Sequence, residues 1–381
     1  MHVLFVAAEP PPSATYRYRS ENIAAALHRS GHTTEVVHVG QSRVRVRGDV
    51  VVLHRISAVP EGVAFARAAR DAGAALVYST DDAVFDADAF PPGGEPWARI
   101  RWFAPLHAAM LCEADAVLVS TDYLAREATR LFGKVKSVFT VRNFLAPALL
   151  ALSERAAKEK QPADTVTFGY FSGTATHASD FALVAEPLAE LLYAREKARL
   201  LVVGHLALGG ALKRLQEHGK VTQIPFVPHA RLPGLLASVD INLAPLDLRY
   251  SFARGKSEIK FLEAAAAGVP TIATRADGFA EGAPESACAY FGDETAVSDD
   301  LARIFDDAPR RSALADAAYA YVLRAGTEEA HAEHTAETFA RIGALPTKSR
   351  REDARADGVW VNFPFAPMKY VVKGVQRRLG M

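Results

Sequence analysis

Apolar and polar positions alternate in blocks along the chain, and each block has the length of one strand or one helix. Continuous runs of Val, Leu, Ile and Phe are followed by stretches whose apolar residues lie three and four apart; three such runs are residues 2–8, 49–55 and 74–80. A continuous apolar run is typical of a strand buried on both faces, and the three-four spacing is typical of an amphipathic helix. The pattern therefore predicts an α/β fold with parallel sheets covered on both faces.

The alternation occurs in two series, which predict two doubly wound, Rossmann-like domains facing across a cleft. The first series predicts strands over 2–8, 33–39, 49–55, 74–80, 114–121 and 136–144. The second predicts strands over 166–173, 198–205, 221–229, 240–247 and 269–274. Residues 149–165 are polar and charged with a proline, which is typical of an inter-domain linker. We expect an N-terminal domain over 1–150, a C-terminal domain over 165–340 and a tail over 341–381.

Composition narrows the function classes. The 381 residues include 44 Lys and Arg and 44 Asp and Glu, so the formal net charge is zero. Nucleic-acid binding needs a basic excess or a clear basic face, and the composition gives no support to it. Cys112 and Cys288 lie far apart in apolar runs, which predicts two buried thiols in a reducing cytoplasm. The apolar start, followed by three prolines, is too short for a signal peptide or a spanning helix.

Ligands bind open α/β sheets at the carboxyl ends of the strands, so the strand-end loops carry the candidate chemistry. The first loop has prolines and Ser13 where a dinucleotide fold has its G-x-G-x-x-G glycines, which argues against an NAD(P) or FAD oxidoreductase. The loop ends in Tyr16, Arg17 and Arg19. These side chains are candidates for binding an anionic acceptor or a phosphate, or they form a solvated helix end.

The first loop of the second domain is rich in hydroxyl groups. Its candidate ligand-binding residues are Ser172, Gly173, Thr174 and His177. A glycine permits close approach of a ligand to the backbone, and free N–H groups at a helix start favour phosphate. The alternative is a capping turn with Ser179 as the helix N-cap. In the same domain, Phe226 lies in the third predicted segment, 221–229, which combines a strand with a loop, and is a further candidate for binding a donor nucleotide.

The strongest signal is the segment FARGKSEIKFLEAAAAGVP, residues 252–270. It predicts a helix with Ser257 as N-cap, preceded by Arg254 and Lys256, so that the helix dipole and two cations form one positive site. Lys260 and Glu263 are three residues apart and share a helix face. A carboxylate at that depth can accept hydrogen bonds from two ribose hydroxyls; the alternative is a surface ion pair.

This segment resembles the second domain of GT-B glycosyltransferases, particularly the large retaining family numbered 4. The motif K-x-x-E-x-x-A-x-G-x-P of that family is matched by Lys260, Glu263, Ala266, Gly268 and Pro270. Weaker likenesses lie at Gly31-His32, at Asp81-Asp82 and at Val141 to Asn143, and the resemblance covers most of residues 1–330. It implies transfer of a sugar from a nucleoside diphosphate donor, with UDP or GDP favoured, to a saccharide or lipid-linked acceptor. Retention and a place in surface polysaccharide or glycoconjugate synthesis are part of that implication.

The sequence departs from the family at one position. Many members carry two glutamates separated by seven residues, the first of which contacts the donor sugar. Counting back from Glu263, that position is Gly255, and Glu258 is the nearest substitute. Two other functions therefore stay open: a nucleotide-sugar epimerase of the same fold, and a catalytically silent partner subunit.

The resemblance also implies a mechanism. Charge developing on the departing diphosphate would be stabilised by Arg254, Lys256 and Lys260, with no metal and no other cofactor. Asp81 and Asp82 are adjacent, which predicts that their side chains point apart in an extended strand. Asp82 is the candidate for positioning or deprotonating the acceptor or for orienting the donor sugar; the alternative is a helix cap and loop anchor. His54, at another strand end, is a candidate for binding the acceptor.

The last residues of the chain are basic and amphipathic. Residues 358–381 contain Lys369, Lys373, Arg377 and Arg378 and no acidic residue, with apolar residues at helical spacing opposite them. Such a helix either lies on an anionic membrane surface, where lipid-linked acceptors occur, or packs across the two domains. The first alternative places a cytoplasmic protein at the inner face of the membrane.

Overall fold

The structure of the chain is a computed structural model that describes residues 1–11, 13–41, 43–133, 137–293, 295–347 and 359–362. The strands are β1 (His2–Ala7), β2 (Thr33–His38), β3 (Arg43–Val46), β4 (Val50–His54), β5 (Ala75–Thr80), β6 (Ala116–Val119), β7 (Ser137–Thr140), β8 (Val166–Ser172), β9 (Ala198–Gly204), β10 (Val221–Ile224), β11 (Ile241–Ala244), β12 (Thr271–Ala273), β13 (Ala289–Tyr290) and β14 (Val359–Asn362). The helices are α1 (Ala14–Tyr16), α2 (Asn22–Arg29), α3 (Pro60–Asp71), α4 (Trp97–Glu113), α5 (Asp122–Phe132), α6 (Pro147–Glu159), α7 (Ala178–Ala194), α8 (Gly210–Glu217), α9 (Leu232–Ala237), α10 (Ser251–Arg254), α11 (Ile259–Ala266), α12 (Asp277–Ala280), α13 (Val297–Asp306), α14 (Ala308–Ala325) and α15 (Glu328–Gly343). A π-helix over Arg17–Glu21 joins α1 to α2.

The chain divides into two compact units. Unit 1 contains Met1–Ala89, Arg99–Arg142 and the described residues from His331 onward. Unit 2 contains Phe90–Ala98 and Asn143–Ala330. The chain therefore enters unit 2 once for a short segment before it builds that unit in full, and it returns to unit 1 within α15.

Unit 1 is built on a six-stranded parallel sheet of order β2–β1–β4–β5–β6–β7. Almost every residue of β1, β4, β5 and β6 is buried, which is why these strands are continuous apolar runs in the sequence. In the register, Val6 lies beside Val37 of β2 and Leu53 of β4. Because the strands are parallel, the ends of β4 and β5 lie together at one edge of the sheet.

Unit 2 repeats this design with the order β10–β9–β8–β11–β12–β13. Alternate residues of β9 face opposite sides of the sheet. Leu200 and Val202 belong to a core with Leu188 of α7, whereas Leu201 and Val203 pack in a second core that includes Ala264 of α11. Both faces are covered, so the predicted doubly wound fold is confirmed. Since α7 follows β8 and α11 comes after β11, both helices begin at the carboxyl edge of the sheet.

The chain after α14 completes unit 1. Phe339 of α15 packs on Phe5 of β1 with ring centroids 5.9 Å apart, and His334 Nε2 lies 3.0 Å from the carbonyl oxygen of Thr140. Strand β14 pairs antiparallel with β3, and Val361 lies beside Val44. The return of the chain is therefore fixed by core packing as well as by strand pairing.

Two predictions from the sequence are corrected here. Helix α6 occupies most of the segment 149–165 that was predicted to be a linker. The helix buries Leu149 and Ser153 and exposes most of its polar residues, so the polar composition reflects one solvated face rather than an irregular linker. Cys112 was predicted to be buried, but it is exposed on α4, whereas Cys288 is buried. Met110 and Leu111 take the core-facing positions, and the helical turn carries Cys112 outward.

The predicted basic helix with Lys369, Lys373, Arg377 and Arg378 lies outside the described residues. Within the described ranges, no helix has both the length and the apolar character needed to span a bilayer.

Candidate functional site

The loop after β8 is held by the hydroxyl of its last residue. Ser172 is buried, and its Oγ lies 2.9 Å from the carbonyl oxygen of His205 and 3.0 Å from that of Thr174. Gly173 and Thr174 are exposed, and a Cβ built on Gly173 would meet no atom within 4 Å. Of these predicted ligand-binding residues, Ser172 therefore shapes the loop, while Gly173 and Thr174 present it to solvent.

His177 lies at the end of this loop, and a hydrogen bond with Asp180 orients its imidazole ring. Nδ1 of His177 lies 3.1 Å from Oδ2 of Asp180, and Oδ1 of Asp180 accepts a hydrogen bond of 2.9 Å from the backbone N–H of Asp247. Burial opposes ionisation of Asp180, but hydrogen bonds from His177 and Asp247 lower the pKa of this carboxyl. Burial, together with the charge of Lys260, lowers the pKa of His177 to about 4. At neutral pH a carboxylate therefore faces a neutral imidazole, so Nδ1 must carry the proton and Nε2 is a hydrogen-bond acceptor.

Lys260 places a buried ammonium beside this loop. Its Nζ is buried and has no hydrogen-bond partner among the described residues, and it lies 4.9 Å from the centroid of the Tyr170 ring. Burial lowers the pKa of Lys260 to about 8, although the charge of Asp180 acts in the opposite direction. A buried cation without an acceptor is costly, and an anionic ligand would relieve that cost. Lys260 is therefore the strongest single indication of an anion-binding site.

Lys256 is a second cation at the same site. Its Nζ lies over the ring of Phe252, 4.1 Å from the centroid. Lys256 lines a pocket in unit 2 whose other walls include Trp97, His177, Asp180, Tyr250 and Phe252. The structure therefore brings together Lys256, His177 and, through its electrostatic effect on His177, Lys260.

The start of α11 differs from the prediction. The helix begins at Ile259, the residue at the N-cap position is Glu258, and Ser257 is not the cap. Instead, Oγ of Ser257 accepts a hydrogen bond of 2.8 Å from Nδ2 of Asn143. Glu258, the predicted substitute for the sugar-contacting carboxylate, is only 3% exposed. Ser257 thus anchors the loop before the helix to a distant part of unit 2.

Arg254 pairs with a carboxylate and does not line the pocket that Lys256 lines. It ends α10, and its Nε donates to Oδ2 of Asp277 at 2.8 Å. With Asp277 and Arg275 it lines a separate open depression of ≈ 440 Å³. Its charge is therefore compensated by a carboxylate, and the predicted cluster of Arg254 with Lys256 is not formed in the pocket.

Glu263 and Phe226 lie along the same edge of unit 2. Oε1 of Glu263 is 3.4 Å from Nε2 of His229, and the side chain is partly exposed. The Phe226 ring is 55% exposed and stacks on the ring of His205, with centroids 5.5 Å apart and planes at 17°. Glu263 provides a carboxylate oriented by His229, and Phe226 provides a flat aromatic surface.

In unit 1, the ends of β4 and β5 form a charged cluster. Arg55 donates from Nε to Oδ1 of Asp81 at 2.7 Å and from Nη2 to Oδ2 of Asp82. Burial opposes the charge, but the two carboxylates raise the pKa of Arg55 above its ordinary value. The prediction that the adjacent carboxylates point apart is wrong, because both residues lie beyond the end of β5, where the strand geometry no longer applies. Arg55 itself has a φ of 52°, a left-handed conformation that is strained for a residue with a side chain.

The predicted acceptor-binding residues occupy different environments. His54 and Arg19 are fully buried, and Tyr16 is 6% exposed. Burial, followed by the charge of Arg55, lowers the pKa of His54 well below its usual value, so the ring is neutral. Nη1 of Arg19 donates to the carbonyl oxygen of Val141 at 2.5 Å, and burial lowers the pKa of Arg19 to about 10. Arg17 is partly exposed. Arg19 and His54 therefore support the edge of the sheet, while Arg17 is the more accessible cation.

A metal centre was not predicted from the sequence. In the part of the chain that the structure describes, no group of three or more His, Cys, Asp or Glu side chains is arranged to hold a metal ion.

Residues 166–307, which carry the two lysines and Glu263, match the family described as Glycosyl transferases group 1. The range matched by this family lies within unit 2. This match confirms the resemblance to the group 1 glycosyltransferases, and its range includes the candidate residues from Ser172 to Glu263. No curated protein matches the sequence.

Solved glycosyltransferases share the fold along most of the chain. Sucrose-phosphate synthase from Thermosynechococcus elongatus has a TM-score of 0.67 at 14% identity, covering 91% of this chain and 100% of that one. HepE from Anabaena, in complex with UDP, has a TM-score of 0.63 at 14% identity, and the match covers 90% of this chain and 100% of HepE. WaaG, a glycosyltransferase involved in lipopolysaccharide biosynthesis, has a TM-score of 0.61 at 16% identity, and the match covers 88% of this chain and 99% of WaaG. The fold is therefore GT-B.

Proposed function

We propose that this protein transfers a sugar from a nucleoside diphosphate sugar to a hydroxyl group of a saccharide or lipid-linked acceptor. The observation that carries the proposal is the buried ammonium of Lys260 in the domain that matches the glycosyltransferase family. HepE, which has the same fold, was solved with UDP and with UDP-glucose. Among the two favoured nucleotides, this supports UDP ahead of GDP.

The donor nucleotide follows the edge of unit 2. The diphosphate binds between Lys256 and Lys260, with the exposed backbone at Gly173 close to its oxygens. The ribose hydroxyls donate to Glu263, whose carboxylate is oriented by His229. The exposed Phe226 ring, stacked on His205, is the flat surface that a nucleobase would cover.

The reaction breaks the bond between the anomeric carbon and the diphosphate oxygen and forms a bond from that carbon to the acceptor oxygen. Negative charge grows on the departing diphosphate, so cations at fixed positions stabilise the transition state more than the bound donor. Lys256 and Lys260 supply that charge without a metal ion. In a retaining reaction the acceptor proton passes to the departing phosphate oxygen, and no protein base is required for the step.

Asp82 is proposed to orient the acceptor. Its carboxylate is paired with Arg55, and its oxygens can accept a hydrogen bond from a sugar hydroxyl. In the same unit Arg17 is more accessible than Arg19 and is proposed to bind a charged group of the acceptor. We propose that the acceptor is bound by unit 1 through these two residues.

Calorimetric titration with UDP and GDP tests the donor site. We expect one of the two to bind, and we expect the substitution Glu263→Gln to weaken its binding by roughly 1.5–3 kcal/mol, the usual contribution of hydrogen bonds to a charged group. Glu217→Gln, an exposed glutamate at the end of α8, is the matched control and should leave the affinity unchanged. If neither nucleotide binds the intact protein, the proposed function is wrong; if Glu263→Gln binds like the wild type, the ribose assignment is wrong.

A further inference from the structure

Residues 90–98 belong to unit 2, although they lie in the sequence between strands of unit 1. Two aromatic side chains attach this segment. The ring of Phe90 is 4.8 Å from that of Phe252, and the ring of Trp97 is 5.5 Å from Phe252 with planes at 72°. Phe90 and Trp97 also contact one another at 5.9 Å. The three rings form one aromatic cluster, which fixes the segment on unit 2.

This cluster is part of the pocket that holds the donor-side charges. Pro91 and Trp97 line that pocket together with His177 and Lys256. The ring of Phe252 meets that of Trp97 in a T-shaped arrangement and has the ammonium of Lys256 over its face, so the aromatic wall adjoins the cation proposed to bind the diphosphate. The group attached to that diphosphate in a donor is a sugar.

The chemistry of the walls suits a sugar ring. A pyranose has apolar C–H groups that pack on aromatic rings and hydroxyl groups that need hydrogen-bond partners. Trp97 and Phe252 supply the apolar surface. The neutral His177, whose Nδ1–H is held by Asp180, supplies an acceptor for a hydroxyl at Nε2. A phosphate would gain little from a neutral imidazole that accepts hydrogen bonds, so this part of the pocket favours a hydroxylated ligand.

The pocket is also tight. The side chains leave a free volume of ≈ 10 Å³, about the space of one water molecule. A sugar that enters must displace part of the lining, in which Trp97 has the largest side chain, and the size of the sugar's substituents decides how large that displacement is. Trp97 is therefore placed to discriminate between sugars rather than between nucleotides.

We propose that Trp97 is a specificity-determining residue that contacts the sugar of the nucleotide donor and limits the size of the substituents on its ring. The inference rests on the proposed function, because it takes the pocket beside Lys256 as the donor site. It adds a contact from residues 90–98, which lie outside the range matched by the glycosyltransferase family. The nucleoside diphosphate itself does not touch Trp97.

Trp97→Ala tests this role by calorimetric titration with UDP, UDP-glucose and UDP-N-acetylglucosamine, or with GDP, GDP-fucose and GDP-mannose if GDP is the nucleotide that binds. We expect the affinity for the free nucleotide to stay within about twofold of the wild type. The ratio of the two sugar-nucleotide affinities should shift roughly tenfold in favour of the bulkier sugar, since a pocket that fits tightly discriminates by that amount per methylene group. Trp97→Phe should give a smaller shift in the same direction.

The control is Trp102→Ala, which removes a tryptophan that is 63% exposed and should change none of these affinities. An unchanged ratio in Trp97→Ala overturns the inference, and so does an equal loss of affinity for the free nucleotide and both sugar nucleotides. Failure of the wild type to bind either nucleotide contradicts the proposed function, and the inference falls with it. Circular dichroism melting of each variant identifies loss of folding, in which case Trp97→Phe decides the question.

Discussion

Lys260 shows how its surroundings can change the ionisation of a common side chain. Its ammonium is removed from water, held over the Tyr170 ring, and opposed by the charge of Lys256, so its pKa falls to about 8. A lysine on the surface would keep its proton at any ordinary pH. At neutral pH Lys260 is still charged, and it has no acceptor among the described residues. A bound anion would therefore give this ammonium the hydrogen-bond acceptor that the described residues do not provide.

This gives a pH dependence of nucleotide binding. A bound diphosphate stabilises the charged form of Lys260 and raises its pKa, so binding above about pH 8 requires uptake of a proton. We expect the contribution of Lys260 to make the affinity for the nucleoside diphosphate fall about twofold between pH 7 and 8, and by up to about tenfold per pH unit above that. Calorimetry at pH 7, 8 and 9 measures it. Lys260→Arg keeps its charge throughout this range and should lose the dependence; a wild-type affinity that is flat to pH 9 contradicts the assignment.

The spacing of residues along the sequence predicts part of the candidate site, whereas contacts between residues far apart in the sequence determine the rest. The three-residue interval between Lys260 and Glu263 is visible in the sequence, because a helix fixes it. The partners of Arg254 and Ser257 are not, because Asp277 and Asn143 are 23 and 114 residues away. Because of such tertiary contacts, Arg254 does not line the pocket and Ser257 is not the cap of the helix.

At the scale of elements, the strands were predictable and several helices were not. A strand buried on both faces needs an unbroken apolar run, and β4 and β5 show such runs. Helix α4 contains Pro105 and has apolar residues around its whole circumference, so its sequence lacks a clear amphipathic period. Helix α6 has a polar exterior, which made its segment resemble a linker. A strand that is buried on both faces can be predicted from its apolar run, whereas a helix whose place is set by its neighbours cannot be predicted from its own residues.

The loop between β8 and α7 offers a separate prediction. Gly173 has no left-handed φ, and an added Cβ would meet nothing within 4 Å, so the fold does not require glycine there. Gly173→Ala should keep or raise the free energy of unfolding, by up to about 1 kcal/mol, because it restricts the unfolded chain. It should also weaken nucleoside diphosphate binding, since the methyl group stands where phosphate oxygens approach the backbone.

Chemical denaturation and calorimetry measure the two effects on the same protein. Gly234→Ala in α9 is the matched control, because it also has open space around its Cβ position, and it should leave binding unchanged. A Gly173→Ala variant that binds the nucleotide like the wild type contradicts the placement of the diphosphate beside this loop.

At the scale of the whole molecule, the order of the units could be predicted and the path of the chain could not. Two series of strands indicate two sheets, and both sheets are present. The sequence gives no sign that residues 90–98 pack on the later unit, because the signal is the contact of Phe90 and Trp97 with Phe252, more than 150 residues further along. The same holds for the return of α15 to unit 1.

Unit 2 is proposed to hold a nucleotide sugar and to stabilise its departing diphosphate. The most direct measurement is the release of nucleoside diphosphate from UDP-glucose, UDP-N-acetylglucosamine and GDP-mannose with water as acceptor, for the wild type and for Lys256→Ala. We expect slow release by the wild type from one donor. Lys256→Ala should lower kcat on the order of 10²–10³-fold, and raise KM for the donor much less, because the ammonium acts mainly on charge that develops in the transition state. Absence of release from every donor, conversion to an epimeric nucleotide sugar, or a wild-type kcat in Lys256→Ala would contradict the account.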